Sequence, residues 1–421
     1  MQCGSGHDGT IKTQKVFVVG IKRPKMTKRQ MSLSLEELKR LIDTSGGEVV
    51  GMDFQELRSI DPATLIGSGK VATVGERAAA LDAHIVVIDD ELSPVQNRNL
   101  EDKLGLFVLD RTAVILDIFA MRARTKEGKL QVELAQLEYL APRLVGRGKT
   151  FSQQAGRIGT RGPGETALEY DRRRIKERIA GLRKNLESVS AHRKIHRLKR
   201  ESVPIPMVSM VGYTNAGKST LMNALTGAGV FVEDKLFATL DPTVRQLRLP
   251  SGRIILLADT VGFIRRLPHE LVLSFKATFE EVASSHMLLH IIDGSDHQAN
   301  SQAEIVEGVL RDLNLHTKPV LTVINKTDLP ECHFRAGDDA VVISAATGLG
   351  LDGLLLRLDE FLRREFKRLF LKLPVSRGDI LSDLYKFGYV WKVVYEGDDI
   401  LVDCELNARY FGKYREYEVQ G

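Results

Sequence analysis

The sequence predicts an α/β protein: a small parallel α/β subdomain carrying a helical hairpin, a larger α/β domain, and a small α+β C-terminal domain. Three observations predict it. Short apolar runs alternate with helix-period segments over 15–125 and again over 207–365, the pattern of parallel strands joined by helical crossovers. Between these regions, apolar residues recur at heptad spacing. The remaining residues, 366–421, read as strand, helix, strand, strand. The expected divisions are a flexible leader (1–14), an N-terminal α/β subdomain (15–125), a helical hairpin (126–200), a second α/β domain (201–365) and a C-terminal domain (366–421).

In chain order, VFVVGI (16–21) reads as a buried strand. SLSLEELKRLIDT (32–44) has apolar residues at helical spacing, with Ser32 or Ser34 as its expected cap. EVVGMDF (48–54), HIVVIDD (84–90) and LFVLD (106–110) read as further strands, with a helical stretch near 93–104. Leu130, Leu134 and Leu137 then repeat at i, i+4, i+7. Leu168, Ile175, Leu182 and Val189 repeat every seven residues, with Ile179 and Leu186 at the other seam position. Two such helices pack most simply as an antiparallel pair. The loop between them, 146–165, holds six glycines together with Arg147, Lys149, Arg157 and Arg161. Loops of this length are uncommon in compact domains and are often functional. The basic stretch 196–206 reads as a linker. EGDD (396–399) signals a hairpin near the C-terminus.

Composition limits the function class. Of 421 residues, 43% are hydrophobic and 27% charged, ordinary values for a globular chain and against disorder. No apolar run approaches the roughly 18 residues that span a bilayer. The first residues lack the apolar core of a secretory signal. Three cysteines (Cys3, Cys332, Cys404) fit neither a disulfide framework nor a zinc site. A cytoplasmic monomer without a membrane span is expected. The net charge of +5 conceals an asymmetry: 17 Lys/Arg against 5 Asp/Glu between Arg143 and Arg200 give +12, leaving −7 elsewhere. Such a segment is either a solvated helix face or a surface for a polyanion.

The chemistry centres on MVSMVGYTNAGKSTLMNAL (207–225). Gly212-Tyr213-Thr214-Asn215-Ala216-Gly217-Lys218-Ser219 matches G-x-x-x-x-G-K-[ST] after an apolar strand and before a helix. Its glycines let the backbone wrap phosphate, and its amides with the helix N-terminus face the anion. Lys218 is expected to reach the β- and γ-phosphates. Ser219 is expected to ligate Mg²⁺, with Thr220 next in the loop. Asp259-Thr260-Val261-Gly262 follows the strand RIILLA. Asp259 can hold magnesium through water, and the Gly262 amide can sense the γ-phosphate. Asn325-Lys326-Thr327-Asp328 ends PVLTVI. A carboxylate there accepts two hydrogen bonds from the guanine edge, an arrangement adenine does not offer. Ser344-Ala345-Ala346 ends VVI, where backbone N–H meets the guanine O6. Four motifs in this order, each at a strand's carboxyl end, point to GTP and GDP. Between the first two lies LFATLDPT (236–243), with Phe237, Ala238, Thr239, Leu240 and Asp241 near the nucleotide. Thr239 and Thr243 both fit the role of the threonine that meets Mg²⁺ and γ-phosphate; Thr239 is favoured. The catalytic set expected is Lys218, Thr239 and Gly262.

Many GTPases place a glutamine after D-x-x-G to orient the attacking water. Here that position is Phe263, which predicts slow unaided hydrolysis. In several related GTPases an asparagine at the position of Asn215 supports a bound K⁺; here Asn215 either does the same or stabilises the loop.

These motifs resemble the HflX family of GTPases, within the translation-factor-related P-loop class. The resemblance runs from about residue 15 to the end. It includes the long segments 110–144, 159–175 and 236–243, and extends to the apolar Phe263. It implies an N-terminal subdomain with a helical hairpin, a GTPase domain and a small C-terminal domain. It also implies binding to the large ribosomal subunit, hydrolysis stimulated there, splitting of stalled ribosomes under stress, and ATP hydrolysis in some members. The +12 segment suits ribosomal RNA. The expected rRNA contacts are Arg147, Lys149, Arg157 and Arg161 in the loop, with Arg172, Arg173 and Arg174 at the base of the second helix. Two rival functions stand beside this one: a GTP-binding module with vestigial hydrolysis, and an ATP-driven rRNA remodeller using the N-terminal domain.

Some patterns imitate sites. Residues 66–71 (IGSGKV) look like a second phosphate loop, but Thr64 and Val71 stand where glycine and Ser/Thr belong, so a turn with a surface lysine is expected. Gly348-x-Gly350-x-x-Gly353 reads as the loop after the third base motif. His286 and His290 have the spacing of helical metal ligands without a third partner, and Trp391 and Tyr395 read as packing residues of a strand.

Overall fold

The computed structural model describes residues 14–57, 59–143, 172–189, 205–227, 229, 233, 235–266, 282–330, 333–334, 337, 339–407 and 410–419. They divide into two compact units, one up to Lys184 and one from Asn185 onward. The chain is mixed α/β, as its alternating pattern predicts.

The first unit is built on a four-stranded parallel sheet, ordered β2-β1-β3-β4: β1 (Gln14–Lys22), β2 (Gly47–Glu56), β3 (Ile85–Ile88) and β4 (Phe107–Asp110). Its core joins Phe17, Val19 and Ile21 of β1 to Val86, Ile88 and Val108. Helix α1 (Lys28–Thr44) starts earlier than expected. Its cap is Thr27, not Ser32 or Ser34: the Gln30 amide donates to the Thr27 hydroxyl and the Thr27 amide to the Gln30 side chain. Ser34 lies inside the helix, buried on its packed face. Helix α2 (Ser68–Ala80) occupies the stretch expected to be a turn. Lys70 is not a surface lysine, because its ammonium lies 2.7 Å from Asp53, which also meets Arg77 at 2.7 Å. Helix α3 spans Pro94–Leu104.

Helix α4 (Arg111–Arg122) follows β4 without a loop, and α5 spans Lys126–Leu140. Their junction is organised by Asp110, which is fully buried. Its carboxylate caps α4 by accepting from the Ala113 amide (2.9 Å). It also accepts from the Tyr139 hydroxyl (2.8 Å), the Leu92 amide (3.1 Å) and the Arg143 guanidinium (3.1 Å). Arg143 stacks on the Tyr139 ring, 3.5 Å from its centroid. Next to this network, buried Arg111 pairs with Asp89 and Glu37.

A sixth helix, α6 (172–189), turns Ile175, Ile179, Leu182, Leu186 and Val189 to its less exposed side, the heptad set read from sequence. Arg178 and Arg183 reach Glu133 and Glu138 of α5. These pairs are exposed and contribute little. Burial of Leu182, at about 1.5–3 kcal/mol for a leucine side chain, outweighs them. Leu168 lies outside the described residues.

The second unit carries a six-stranded sheet ordered β10-β9-β8-β5-β7-β6. Its strands are β5 (Met207–Gly212), β6 (Thr243–Arg248), β7 (Ile254–Asp259), β8 (Met287–Asp293), β9 (Val320–Asn325) and β10 (Val341–Val342). Only β6 runs antiparallel to its neighbour. Helices α7 (Lys218–Thr226), α8 (Ala299–Asp312) and α9 (Leu351–Glu365) cross over, and Leu221, Met222, Leu354 and Leu358 pack on Met210, Leu257, Leu289 and Val323. His290 lies on β8, with His286 just before that strand, so their four-residue spacing is not helical. The His286 ring accepts from the Met207 amide at 3.1 Å.

Helix α9 leads directly into β11 (Phe366–Pro374), then α10 (Gly378–Phe387), β12 (Gly388–Glu396) and β13 (Asp399–Asn407). The antiparallel sheet β11-β13-β12 has the expected hairpin, turned at Gly397 (φ +60°). A short helix, α11 (Phe411–Tyr414), follows. Tyr395 is not a packing residue, being 66% exposed. Trp391 is 37% exposed but packs edge-on against the Tyr389 ring at 4.6 Å and under the Arg368 guanidinium, and a register shift between Val390 and Lys392 interrupts the strand's alternation. The β6–β7 turn is tied to this region by Arg253–Glu405 and by the Ser251 hydroxyl on Asp359 (2.6 Å). Among the described residues, no helix is long and apolar enough to cross a membrane.

Replacing Asp110 with alanine strands the Ala113 and Leu92 amides and the buried Tyr139 hydroxyl, while Arg143 keeps the Leu92 and Tyr139 carbonyls. The expected loss is about 3 kcal/mol. Urea denaturation checks it, and a loss under about 1 kcal/mol contradicts the organising role.

Candidate functional site

Strand β5 ends at Gly212 and α7 begins at Lys218, so the five-residue loop between them bends back over the helix start. Gly217 makes this turn at φ +91°, and a Cβ there would lie 2.2 Å from the Asn325 side-chain nitrogen, so only glycine fits. The Lys218 ammonium folds back onto the loop, donating to the carbonyls of Gly212 (3.2 Å) and Tyr213 (2.8 Å). It is buried, and burial pushes its pKa down to about 8 against the opposing charge of Asp259. Burial likewise raises the Asp259 carboxyl, while Lys218 and the Ser219 hydroxyl pull it down. Both charged forms are short of compensation.

The Ser219 hydroxyl lies 2.6 Å from Thr239 Oγ1 and 2.6 Å from Asp259 Oδ2. Asp259 Oδ1 is buried and has no hydrogen-bond partner. Three hard oxygen ligands therefore converge, with a spare carboxylate oxygen, and this donor set suits Mg²⁺. Among the described residues, no group of three His, Cys, Asp or Glu side chains could hold a metal. A divalent ion at this point depends on the hydroxyls and on phosphate oxygens. Thr243 instead opens β6, paired in register with Asp259.

A cleft of about 400 Å³ opens over this cluster. Thr214, Asn215, Lys218, Ser219, Thr220, Phe237, Ala238, Thr239, Thr260 and Gly262 line it. Asn215 sits in the left-handed region at φ +63°. Leu240 is buried beside Thr239, and Asp241 is half-buried. Thr260 anchors the start of the next loop by donating to the Met210 carbonyl (2.6 Å). Gly262 presses on the loop so closely that a Cβ would meet Thr214 Cα at 2.7 Å and the Lys218 ammonium at 2.9 Å. Beside it, Val261 is buried, and Phe263 is turned inward and only 2% exposed.

The base-side motifs meet at Asn325. Its amide donates to the Ala216 carbonyl (2.9 Å) and accepts from the Ala345 amide (2.9 Å), joining the phosphate loop to the Ser344-Ala345-Ala346 turn. The Thr327 hydroxyl donates to the Ile343 carbonyl (2.9 Å), and Asp328 is exposed beside it. All four motifs therefore gather at one end of one sheet. Sequence reasoning missed three residues here. Asp293 holds the Lys326 ammonium at 2.7 Å, and Glu233 and Lys235, paired at 3.1 Å, line the cleft. Asp293 had a detectable signal, since it ends a buried strand at the ligand side. Glu233 and Lys235 had none.

Of the expected rRNA contacts, Arg172, Arg173 and Arg174 are exposed at the start of α6. Arg147, Lys149, Arg157 and Arg161 lie outside the described residues.

His290, behind the phosphate loop, is 4% exposed; burial and the charge of Lys218 push its pKa down to about 4. Because the unfolded chain binds this proton more readily, stability is present above about pH 6.5 and falls as pH drops toward 4. The expected loss is roughly 3 kcal/mol. Urea denaturation across that range checks it: His290→Leu flattens this part of the acid limb, and an unchanged profile contradicts it.

Comparison with known proteins gives matches along most of the chain. Residues 32–120 match a family described as GTP-binding GTPase N-terminal, 122–200 one described as GTP-binding GTPase Middle Region, and 207–326 one described as 50S ribosome-binding GTPase. The chain is 46% identical over 384 residues to the GTPase HflX of Caldanaerobacter subterraneus subsp. tengcongensis, covering 91% of this chain and 90% of that one. It is 43% identical to the GTPase HflX of Escherichia coli K12, covering 86% and 87%. A GTP-binding protein of Sulfolobus solfataricus, solved with GDP, aligns over 84% of this chain and 99% of its own at 24% identity and a TM-score of 0.42.

Proposed function

The chain belongs to the HflX family of GTPases, and from that premise we propose that it is a cytoplasmic GTP hydrolase acting on the large ribosomal subunit. Hydrolysis there drives the splitting or recycling of ribosomes, under stress. The observation that carries the enzymatic part is the cluster of the Ser219 and Thr239 hydroxyls on the buried Asp259, beside the buried Lys218 ammonium. The ribosomal part is supported by the match of residues 207–326 to a family described as 50S ribosome-binding GTPase, and by the +12 charge of residues 143–200.

The chemistry is positioning and electrostatics. Ser219 and Thr239 would hold Mg²⁺ through their hydroxyls and Asp259 through water; the bound ion neutralises charge on the phosphate oxygens. Lys218 brings its ammonium to the β- and γ-phosphates, and their charge stabilises the protonated form against the burial that lowers its pKa. The Gly262 amide binds the γ-phosphate. The backbone of 212–220 holds the phosphates, and the 237–241 segment closes on them with Thr239. Asp328 reads the guanine N1–H and N2–H₂ edge, and the Ser344–Ala346 turn reads O6.

Phe263 cannot orient a water by hydrogen bonding. The missing group comes from the docked ribosome, with Asn215 supporting a K⁺ ion that offsets transition-state charge. The exposed Arg172, Arg173 and Arg174, with Arg147, Lys149, Arg157 and Arg161, bind rRNA.

Two experiments test this reading. Steady-state GTP hydrolysis is expected to rise at least tenfold with purified large subunits, and further in KCl than in NaCl. Absence of stimulation despite binding supports instead a GTP-binding module. Asp328→Asn is expected to move preference from GTP to xanthosine triphosphate by about 100-fold or more, since a buried mismatched edge costs several kcal/mol. Undiminished GTP preference contradicts the base-reading role.

A further inference from the structure

The segment after Gly262 is held by the phosphate loop at three points. The Phe263 amide donates to the Gly212 carbonyl (3.0 Å), and the Phe263 carbonyl accepts from the Thr214 amide (2.8 Å). These two bonds extend the β5–β7 ladder past the strand ends as an isolated bridge between Tyr213 and Phe263. The third point is a side chain. The Tyr213 hydroxyl accepts from the Arg265 amide at 2.9 Å. Tyr213 is 5% exposed, so this bond forms away from bulk water. Beyond it, the Arg265 guanidinium donates to the Ser301 hydroxyl on α8 (2.7 Å). Residues 263–265 are therefore fixed on one side by the loop that wraps phosphate and on the other by a helix of the same sheet layer.

From this geometry we infer that Tyr213 is a positioning residue for the γ-phosphate: its hydroxyl staples the exit of the D-x-x-G segment and thereby sets the Gly262 amide. The inference deepens the GTPase reading and rests on it. Gly262 has little freedom of its own. It lies between Asp259 at the end of β7 and Phe263 in the bridge, packed against Thr214 and Lys218. The backbone bonds fix where residue 263 begins. The tyrosine fixes the direction in which the chain leaves it. Phenylalanine at 213 would keep the ring but leave the Arg265 amide without its acceptor, at a cost of about one hydrogen bond. The backbone contacts that cradle the α- and β-phosphates do not pass through the hydroxyl. Its loss therefore falls on the γ-phosphate more than on the rest of the nucleotide. With an apolar Phe263 buried below, this part of the loop works by being held in place rather than by swinging a side chain toward water.

The test uses the full chain and its Tyr213→Phe variant. Affinities for a fluorescent GDP and for a fluorescent non-hydrolysable GTP analogue are measured with Mg²⁺, alongside kcat and KM for GTP. The variant is expected to bind the GTP analogue 5- to 10-fold more weakly relative to GDP, the factor that about 1–1.4 kcal/mol produces. kcat is expected to fall by a similar factor, with unfolding temperature nearly unchanged. A purely structural role would weaken both nucleotides alike, and that outcome, like an unchanged ratio, overturns the inference. The affinity ratio does not depend on turnover, so slow hydrolysis by the native chain leaves the test intact. Binding of neither nucleotide by the native chain overturns both the inference and the reading beneath it.

Discussion

The second unit depends on one electrostatic constraint: a buried ammonium and a buried carboxylate stand within the same small volume without enough partners. Lys218 is held by two backbone carbonyls, and Asp259 by the Ser219 and Thr239 hydroxyls and the Thr260 backbone, with Oδ1 unpaired. Burial disfavours both charged forms. An apolar residue at 218 would lose the hold on the Gly212 and Tyr213 carbonyls, and one at 259 the hydrogen bond from Ser219. A triphosphate with a divalent cation satisfies both charges together, which is why the cluster reads as a nucleotide site rather than as a structural ion pair.

The rest of the unit keeps this cluster in place. Asn325 clips the phosphate loop to the base-side turn, Asp293 orients Lys326, and β7 carries Asp259 while β6 leads back toward Thr239. Phe263 is fully buried in a position where a polar side chain would help catalysis. The proposed activation by a docked partner rests on this combination of an ordered site and an apolar Phe263. In the first unit, Asp110 plays a comparable organising part, binding Arg143 to α4 and α5 by hydrogen bonds that water cannot easily replace.

The nucleotide motifs were legible because each is short, local and punctuated by glycine or by charged residues at strand ends. The alternation of strands and helices was legible for the same reason. The start of α1 was missed because its first turn, Lys28-Arg29-Gln30, is polar and announced only by the Thr27–Gln30 box. The second helix was obscured by the glycines and alanines of Ser68–Ala80, which weaken any apolar period. Tyr395 was misread because period-2 spacing does not say which face of the strand meets the core, and Tyr395 stands on the exposed one. Asp110, Asp293 and the Tyr213 hydroxyl act on residues 18 to 52 positions away in their key contacts, so only the fold brings their partners to them.

The most direct measurement of the central claim is the Mg²⁺ dependence of nucleotide affinity in the native chain. Titration of a non-hydrolysable GTP analogue and of GDP, each with Mg²⁺ and with excess chelator, isolates what Ser219, Thr239 and Asp259 contribute together. The account predicts that Mg²⁺ tightens the GTP analogue by at least tenfold and GDP by less, because Thr239 engages only with the γ-phosphate present. Equal affinities with and without the ion would contradict it.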